Sequence, residues 1–187
     1  MVYNISVVDR KEKMNYLEVL DAAAFAMEAH KGQVRMDAEG SPYIRHPIEV
    51  AQLLSMAGIE DGDVICAALL HDVVEDCGVE LSAIASMFGG RVARIVADVS
   101  DNPNLHGVSR KDAQVVRAGM IIPEARLIKI ADKICNMSDI LYRPPVDWDA
   151  AKKADYFNFA NRVFVAADIS NEYLRDCFNE VMARGAF

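Results

Sequence analysis

The chain has 187 residues, of which 52% are hydrophobic and 26% are charged. This length and composition are typical of one globular domain with a sizeable core, and they exclude a disordered chain. The formal net charge of −8 argues against the basic surface of a nucleic-acid-binding protein. No apolar run reaches the roughly 18 residues that span a bilayer, and the N-terminus lacks a signal-peptide pattern. We therefore expect a single domain, residues 1–187, that acts in the cytoplasm with no nucleic-acid and no membrane partner.

Apolar residues recur at helical spacing along most of the chain, which predicts an all-α fold, a compact multi-helix bundle. Gly40 and Pro42 mark a loop that holds, at most, a short β-hairpin near residue 40. Asp61 or Asp63 is suited to cap a third helix, which is apolar nearly all round as a central buried helix should be. The SDNPNLHG stretch, 100–107, has the composition of a loop. The predicted helices are 14–30, 47–58, 64–76, 80–88, 90–99, 109–119, 123–141, 147–167 and 169–183.

The most informative motif is HDVVED, which ends the apolar third helix. An ionised Asp72 among leucines and valines is costly unless a cation or hydrogen-bond donors meet it. Glu75 follows His71 by four residues and Asp76 follows Asp72 by four, so a continuous helix places all four groups on one side. One imidazole and three carboxylates this close repel one another unless a metal or protons neutralise them.

A second polar stripe lies in the segment LIKIADKICNM, 127–137. At the helical period, one side of this segment carries Lys129, Asp132, Lys133 and Asn136. The stripe suits either a solvated face of an amphipathic helix or a metal ligand, Asp132, flanked by cations that hold phosphate oxygens. His46 stands at a predicted helix start, and in isolation it is more typical of a capping or core residue than of a ligand.

Two imidazoles and two carboxylates from three helices form a mixed nitrogen and oxygen set, namely His46, His71, Asp72 and Asp132. Such a set suits a borderline or hard divalent ion with coordination positions left for water. Manganese fits best, and iron, zinc and magnesium are substitutes. The four cysteines form no CxxC pair and lie outside the set, so we expect reduced thiols and no thiolate zinc site.

The motif order H…HD…D resembles the HD phosphohydrolase superfamily. AHKGQVRMDAEGSPYIRHPIEVA, ALLHDVVED and IKIADKICNM resemble the AHxGQxRKxGxPYIxHPxxVA, ALLHDxVEDT and KLADxxxNM segments of RelA/SpoT hydrolase domains. YFNFANRV (156–163) is similar to a tyrosine-containing segment of the stand-alone enzymes. The resemblance covers about residues 17–140, with C-terminal helices over about 147–183. It points to a stand-alone small alarmone hydrolase, like the metazoan SpoT homologue.

The resemblance implies that His46, His71, Asp72 and Asp132 hold one manganese ion, or another divalent metal in its place. It also implies that Glu75 and Asp76 position and activate the attacking water. The expected partner is a purine nucleotide with ribose phosphates, guanosine 3′,5′-bis(diphosphate) or its pppGpp form, hydrolysed to GDP or GTP plus pyrophosphate.

The resemblance and the charge pattern also suggest residues that contact the substrate. Arg35 and Asn136 match family positions beside the base and the ribose, and Tyr156 is a candidate ring for either. Lys129, Arg110 and Lys111 are candidates for phosphate contacts by their charge and location.

The sequence departs from the family pattern at two positions; the first leaves the substrate open, and we expect the second to be minor. Met36 stands where the family commonly has Lys, which should weaken contact with a base or pyrophosphate, and Cys77 replaces a favoured Thr. One alternative keeps the fold and the metal but removes a phosphate from NADPH or another nucleotide. An alternative of another class is a catalytically silent nucleotide-binding module. The sequence also leaves a homo-oligomer open.

Overall fold

The computed structural model describes residues 15–101, 104 and 107–185, with the side chains of 107–109 left aside. Over this part of the chain the protein is a bundle of helices joined by turns, which confirms the predicted all-α fold. The helices are α1 (Tyr16–Ala29), α2 (Arg45–Met56), α3 (Gly62–Leu69), α4 (Val73–Cys77), α5 (Leu81–Val99), α6 (Gly107–Ala118), α7 (Pro123–Tyr142), α8 (Ala150–Ala167) and α9 (Glu172–Arg184).

Helix α3 forms the centre of the bundle. Every residue from Val64 to Leu69 is buried, and α3 packs against α1, α2, α5 and α7. Its start is fixed by Asp61, whose side chain accepts a hydrogen bond from the Asp63 N–H at 3.1 Å. Helix α7 begins at Pro123, whose missing N–H costs nothing at a helix start, and it packs against α2, α5, α8 and α9. These two helices and α2 therefore bring their inner faces together.

The predicted third helix is not continuous, because the chain turns at Leu70–Asp72 between α3 and α4. At this turn the His71 ring lies 2.8 Å from the carbonyl oxygen of Ala68, which the broken helix leaves without a partner further along. The expectation that one continuous helix aligns the HDVVED side chains is therefore wrong. The motif instead spans the turn and the short helix α4.

The loop between α1 and α2 contains no β-hairpin of two strands. A single isolated antiparallel bridge joins Val34 and Pro42, and Gly40 between them has a φ of +60°. The predicted division of 80–99 into two helices is present as a kink at Gly89, with a φ of +88°. The hairpin is thus reduced to one bridge, whereas the break between the two predicted helices lies at the expected residue.

The C-terminal helices begin later than predicted, because polar caps rather than apolar periodicity set their first residues. Asp149 caps α8 by accepting from Lys152 N–H at 2.8 Å, and Asn171 caps α9 by accepting from Leu174 N–H at 3.0 Å.

Residue 14 of the first predicted helix and residues 102, 103, 105 and 106 of the predicted loop lie outside the described residues. None of the helices described is both long enough and apolar enough to cross a membrane.

Candidate active site

One cavity in the bundle gathers ten of the twelve side chains that the sequence suggested for the site. Its walls come from the loop before α2 and the start of α2, the α3–α4 turn, α4, the end of α5, α6 and the inner face of α7. The predicted residues that line it are Arg35, His46, His71, Asp72, Glu75, Asp76, Arg110, Lys129, Asp132 and Asn136.

Three of these residues form a cluster with the geometry of a metal site. One ligand atom each from His46, His71 and Asp132 lies within 4.8 Å of the others. The Nε2 atom of His46 is 3.1 Å from Oδ1 of Asp132, and Nε2 of His71 is 4.0 Å from the same oxygen. Both histidines are buried, so the cluster is set back from solvent at the floor of the cavity.

Asp72 borders this cluster. Its Oδ2 atom lies 3.2 Å from Nε2 of His71 and 3.8 Å from Nε2 of His46. The Tyr43 hydroxyl donates a hydrogen bond to the same oxygen at 2.8 Å. Burial opposes ionisation of Asp72, but the rings of His71 and His46 together outweigh it and lower the pKa of Asp72. The structure therefore places an ionised carboxylate beside the two imidazoles.

The donor set fits a divalent cation. The carbonyl of Ala68 can only accept a hydrogen bond, so Nδ1 of His71 donates and Nε2 is turned toward the carboxylates. This buried Nε2 atom has no hydrogen-bond partner among the described residues. Burial opposes charge on the ring, yet Asp72 raises the pKa of His71 to about 9, so a proton and a cation compete for this nitrogen. The site thus suits a divalent metal held by nitrogen and oxygen ligands.

Glu75 faces the cavity from α4 and is held by α6 and by the end of α5. Its Oε1 atom accepts from the Asp101 N–H at 2.7 Å, and its Oε2 atom pairs with Arg110. Burial raises the pKa of Glu75, and burial together with Asp72 raises the pKa of Asp76. A carboxylate with a raised pKa is a better proton acceptor, as a general base requires.

The two lysines of α7 point inward, so the solvated-face interpretation of this stripe is wrong. Lys129 is buried and donates to the Val99 carbonyl at 2.8 Å and to Asp101 at 3.2 Å. Burial and the neighbouring Lys133 lower the pKa of Lys129. Lys133 is also buried and donates to Oδ2 of Asp132 at 2.8 Å. Both ammonium groups are thus already paired with protein oxygens.

Arg35 reaches the cavity from the α1–α2 loop and is held from several sides. It donates to Asn136 at 2.7 Å and to Asp139 at 2.9 Å, and its Cζ atom lies 5.5 Å from the ring centre of Tyr43. Asn136 in turn donates to Asp132. A chain of polar contacts therefore links the guanidinium to the carboxylate of the metal-type cluster.

Two suggested substrate-binding residues do not line the cavity. Lys111 is exposed, with its Nζ atom 5.5 Å from the ring centre of Phe159. Tyr156 lies behind the cavity wall, where it contacts Asn136 and its ring is 5.8 Å from that of Trp148. Burial raises the pKa of Tyr156 to about 12. Their roles in substrate binding stay predictions, and neither side chain belongs to the cavity lining.

Besides apolar Val99 and Ile128, four polar lining residues were missed as site residues: Tyr43, Asp101, Gln114 and Lys133. Lys133 belongs to the polar stripe of α7, and Tyr43 lies in the PYIRHP motif of the α1–α2 loop, so the sequence pattern marked both residues. Asp101 accepts hydrogen bonds from Lys129, Arg110 and Gln114, yet it stands in a predicted loop with nothing nearby to mark it.

An all-helical bundle with a buried His/Asp cluster beside two acidic residues defines the class of HD-type metal-binding domains. The chain belongs to the HD domain family, whose sequence profile matches residues 22–163. It is 39% identical over 165 residues to the guanosine-3′,5′-bis(diphosphate) 3′-pyrophosphohydrolase MESH1 of Mus musculus. This alignment covers 88% of this chain and 92% of the mouse protein. The Homo sapiens protein of that name has the same identity and coverage.

A solved structure gives the same relationship in three dimensions. It is described as a metazoan ortholog of SpoT that hydrolyzes ppGpp and plays a role in starvation responses. Its TM-score is 0.87 at 32% identity, covering 90% of this chain and 96% of that one. The helical bundle and its connections are therefore shared almost throughout.

Proposed function

We propose that this protein hydrolyses guanosine 3′,5′-bis(diphosphate), or its pppGpp form, to GDP or GTP plus pyrophosphate. The observation that carries this proposal is the buried Nε2 of His71, which lies 3.2 Å from Asp72 and 4.0 Å from Asp132 without a directed hydrogen bond, in the same cavity as Glu75. The relatives that share most of their length with this chain carry the name of this activity.

In this proposal His46, His71, Asp72 and Asp132 hold one divalent metal, for which manganese is the best fit. When bound, such a metal lowers the pKa of water and stabilises charge on phosphoryl oxygens. Lys133 keeps Asp132 oriented through its Oδ2 atom, which leaves Oδ1 toward His46. The Ala68 carbonyl keeps the His71 ring in the matching tautomer.

Glu75 and Asp76 position the attacking water in this proposal, and Glu75 accepts its proton. The oxygen of that water attacks the phosphorus bonded to the ribose 3′ oxygen, and the bond between this phosphorus and the 3′ oxygen breaks. The 3′ oxygen takes up a proton and leaves as the hydroxyl group of GDP or GTP, and the pyrophosphate that is released retains the oxygen of the water. Arg110 gives up its contact with Glu75 and binds the substrate's diphosphate instead, because a guanidinium can form two parallel hydrogen bonds with phosphate oxygens. Arg35 faces the purine, and Asn136 the ribose.

The deciding experiment is to load the purified protein with manganese and follow products from the alarmone and from NADPH in parallel. GDP and pyrophosphate from the alarmone support the proposal. Phosphate from NADPH with the alarmone untouched would move the function to another nucleotide, with Met36 the first position to examine. Tight nucleotide binding without turnover in any divalent metal would indicate a silent module. Three expectations stay predictions: that the chain is a single hydrolase domain, that it acts in the cytoplasm, and that it can form a homo-oligomer.

A further inference from the structure

Asp139 is a buried carboxylate near the end of α7 that does not line the cavity. Only 5% of the residue is exposed. It accepts hydrogen bonds from Arg35 at 2.9 Å, from Arg45 at 3.3 Å and from Arg143 at 2.7 Å. Three cations surround one buried anion, which is more positive charge than neutralisation of that anion requires. The three arginines therefore differ in what their contact with Asp139 contributes.

The other carboxylates near this group separate the three arginines. Arg45 also lies 3.5 Å from Glu49, and Arg143 lies 3.0 Å from the same residue. Among the described residues, Asp139 is the one carboxylate within 4.0 Å of the Arg35 guanidinium. Arg35 is also the one of the three that lines the cavity. Asp139 is therefore the single anionic anchor of Arg35. Arg45 and Arg143, the other two partners of Asp139, each pair with Glu49 as well and lie outside the cavity lining.

The anchor fixes both the position and the plane of the guanidinium. The Nε and Nη2 atoms of Arg35 donate to the same Oδ2 atom of Asp139, at 3.2 and 2.9 Å. Asn136 accepts from Nη2 at 2.7 Å, and the ring of Tyr43 lies below Cζ at 5.5 Å. Because Asp132, Asn136 and Asp139 stand at positions i, i+4 and i+7 of α7, one helix face carries the metal-type cluster and the arginine anchor together.

We propose that Asp139 is a positioning residue that holds Arg35 at a fixed distance from the His/Asp cluster and thereby sets nucleotide affinity. An arginine side chain loses much rotamer freedom when it binds a ligand, and an anchor that restricts it beforehand removes that cost from binding. The role rests on the function proposed above, since it assumes that Arg35 contacts the nucleotide. It predicts that loss of the anchor affects binding more than the chemical step.

The test compares the manganese-loaded full chain with Asp139→Asn, which keeps the shape but removes the charge. We expect KM for the alarmone to rise about tenfold while kcat stays within about twofold, as for lost uniform binding. In the Arg35→Gln background, Asp139→Asn should add nothing further, because the anchor acts through that arginine. Arg143→Gln is the matched control: it removes another partner of the same carboxylate, away from the cavity, and KM should not change.

Equilibrium binding of GDP, measured by calorimetry, separates this proposal from the proposed function. If the unaltered protein left the alarmone intact, the proposed function would fail, yet an approximately tenfold weaker GDP affinity in Asp139→Asn would still support the anchor. Equal GDP affinities, no GDP binding by the unaltered protein, or additive effects with Arg35→Gln would each overturn the anchor. If Asp139→Asn did not fold, Asp139→Glu shifts the carboxylate by one methylene, and the same rise in KM is expected.

Discussion

The Nζ atom of Lys133 lies 2.8 Å from Oδ2 of Asp132, its neighbour in the chain, and both side chains are largely buried. Burial opposes the ionisation of Asp132, but Lys133 and the rings of His46 and His71 together outweigh it and lower the pKa of that carboxyl. Asp132 is thus ionised and oriented before any cation reaches the site. This pairing makes the two carboxylates of the cluster differ in what their removal costs.

Asp72→Ala should separate metal binding from folding, because Asp72 has no buried lysine partner. We expect loss of manganese binding and of alarmone hydrolysis, with the helical circular dichroism spectrum unchanged. Metal content by mass spectrometry and product release are the measurements. Retention of one manganese per chain in this variant would remove Asp72 from the proposed ligand set.

Asp132→Ala should also destabilise the protein. Removal of this carboxylate leaves the Lys133 ammonium buried without its partner, which costs roughly 3–5 kcal/mol in comparable buried pairs. Urea denaturation of the metal-free proteins measures the loss, and Asp132→Ala combined with Lys133→Met should recover most of it. Equal stabilities of Asp132→Ala and the unaltered protein would contradict the pairing.

Glu75→Gln should keep the metal and lose turnover. The amide preserves the shape and the contact with the Asp101 N–H, but it accepts no proton from water. We expect kcat to fall by roughly 10²–10⁴-fold, the usual contribution of a general base. Glu124→Gln is the control, since Glu124 pairs with exposed Arg91 and neither residue lines the cavity. Full activity in Glu75→Gln would assign proton transfer elsewhere.

Met36→Lys should strengthen alarmone binding if the family lysine contacts the nucleotide. Met36 is 59% exposed, so a longer charged side chain fits at this position without disturbing the core. We expect KM to fall a few-fold and the gain to shrink at high salt, because exposed charges are screened. An unchanged KM at low salt would make Met36 a neutral variation.

Asp139 should contribute stability that is lost in acid. Burial opposes ionisation of its carboxyl, but Arg143 and Arg35 outweigh it and lower the pKa. A lowered folded-state pKa means that the contribution is present above the ordinary value near 4 and disappears as pH falls through the folded value. Urea denaturation measures the difference in unfolding free energy between the unaltered protein and Asp139→Asn. This difference should be largest near pH 7 and should disappear once the pH falls below the folded-state pKa of Asp139. A gap that is independent of pH would contradict this account.

The sequence was sufficient for the all-α class, because apolar periodicity reports which faces are buried. It also identified the residues around His71 and Asp132, because ionisable groups inside apolar helices are unusual. The turn at Leu70–Asp72 could not be predicted, since no Gly or Pro marks it and a side chain, His71, meets the freed carbonyl. The burial of Lys129 could not be predicted, because its partners, Val99 and Asp101, are distant in sequence.

Helix α7 carries Asp132 and Asn136 toward the cavity and Asp139 behind it, all along one side of the same rod. A one-residue insertion early in this helix would rotate all three by about 100° relative to the segment before it. Catalysis, nucleotide recognition and folding would then be lost together. By contrast, the 143–149 connection after the helix lies beyond all three groups, so length variation there shifts none of them. A new specificity in this scaffold is therefore open to substitutions, along α7 or at loop positions such as Met36, but not to a change in the length of α7.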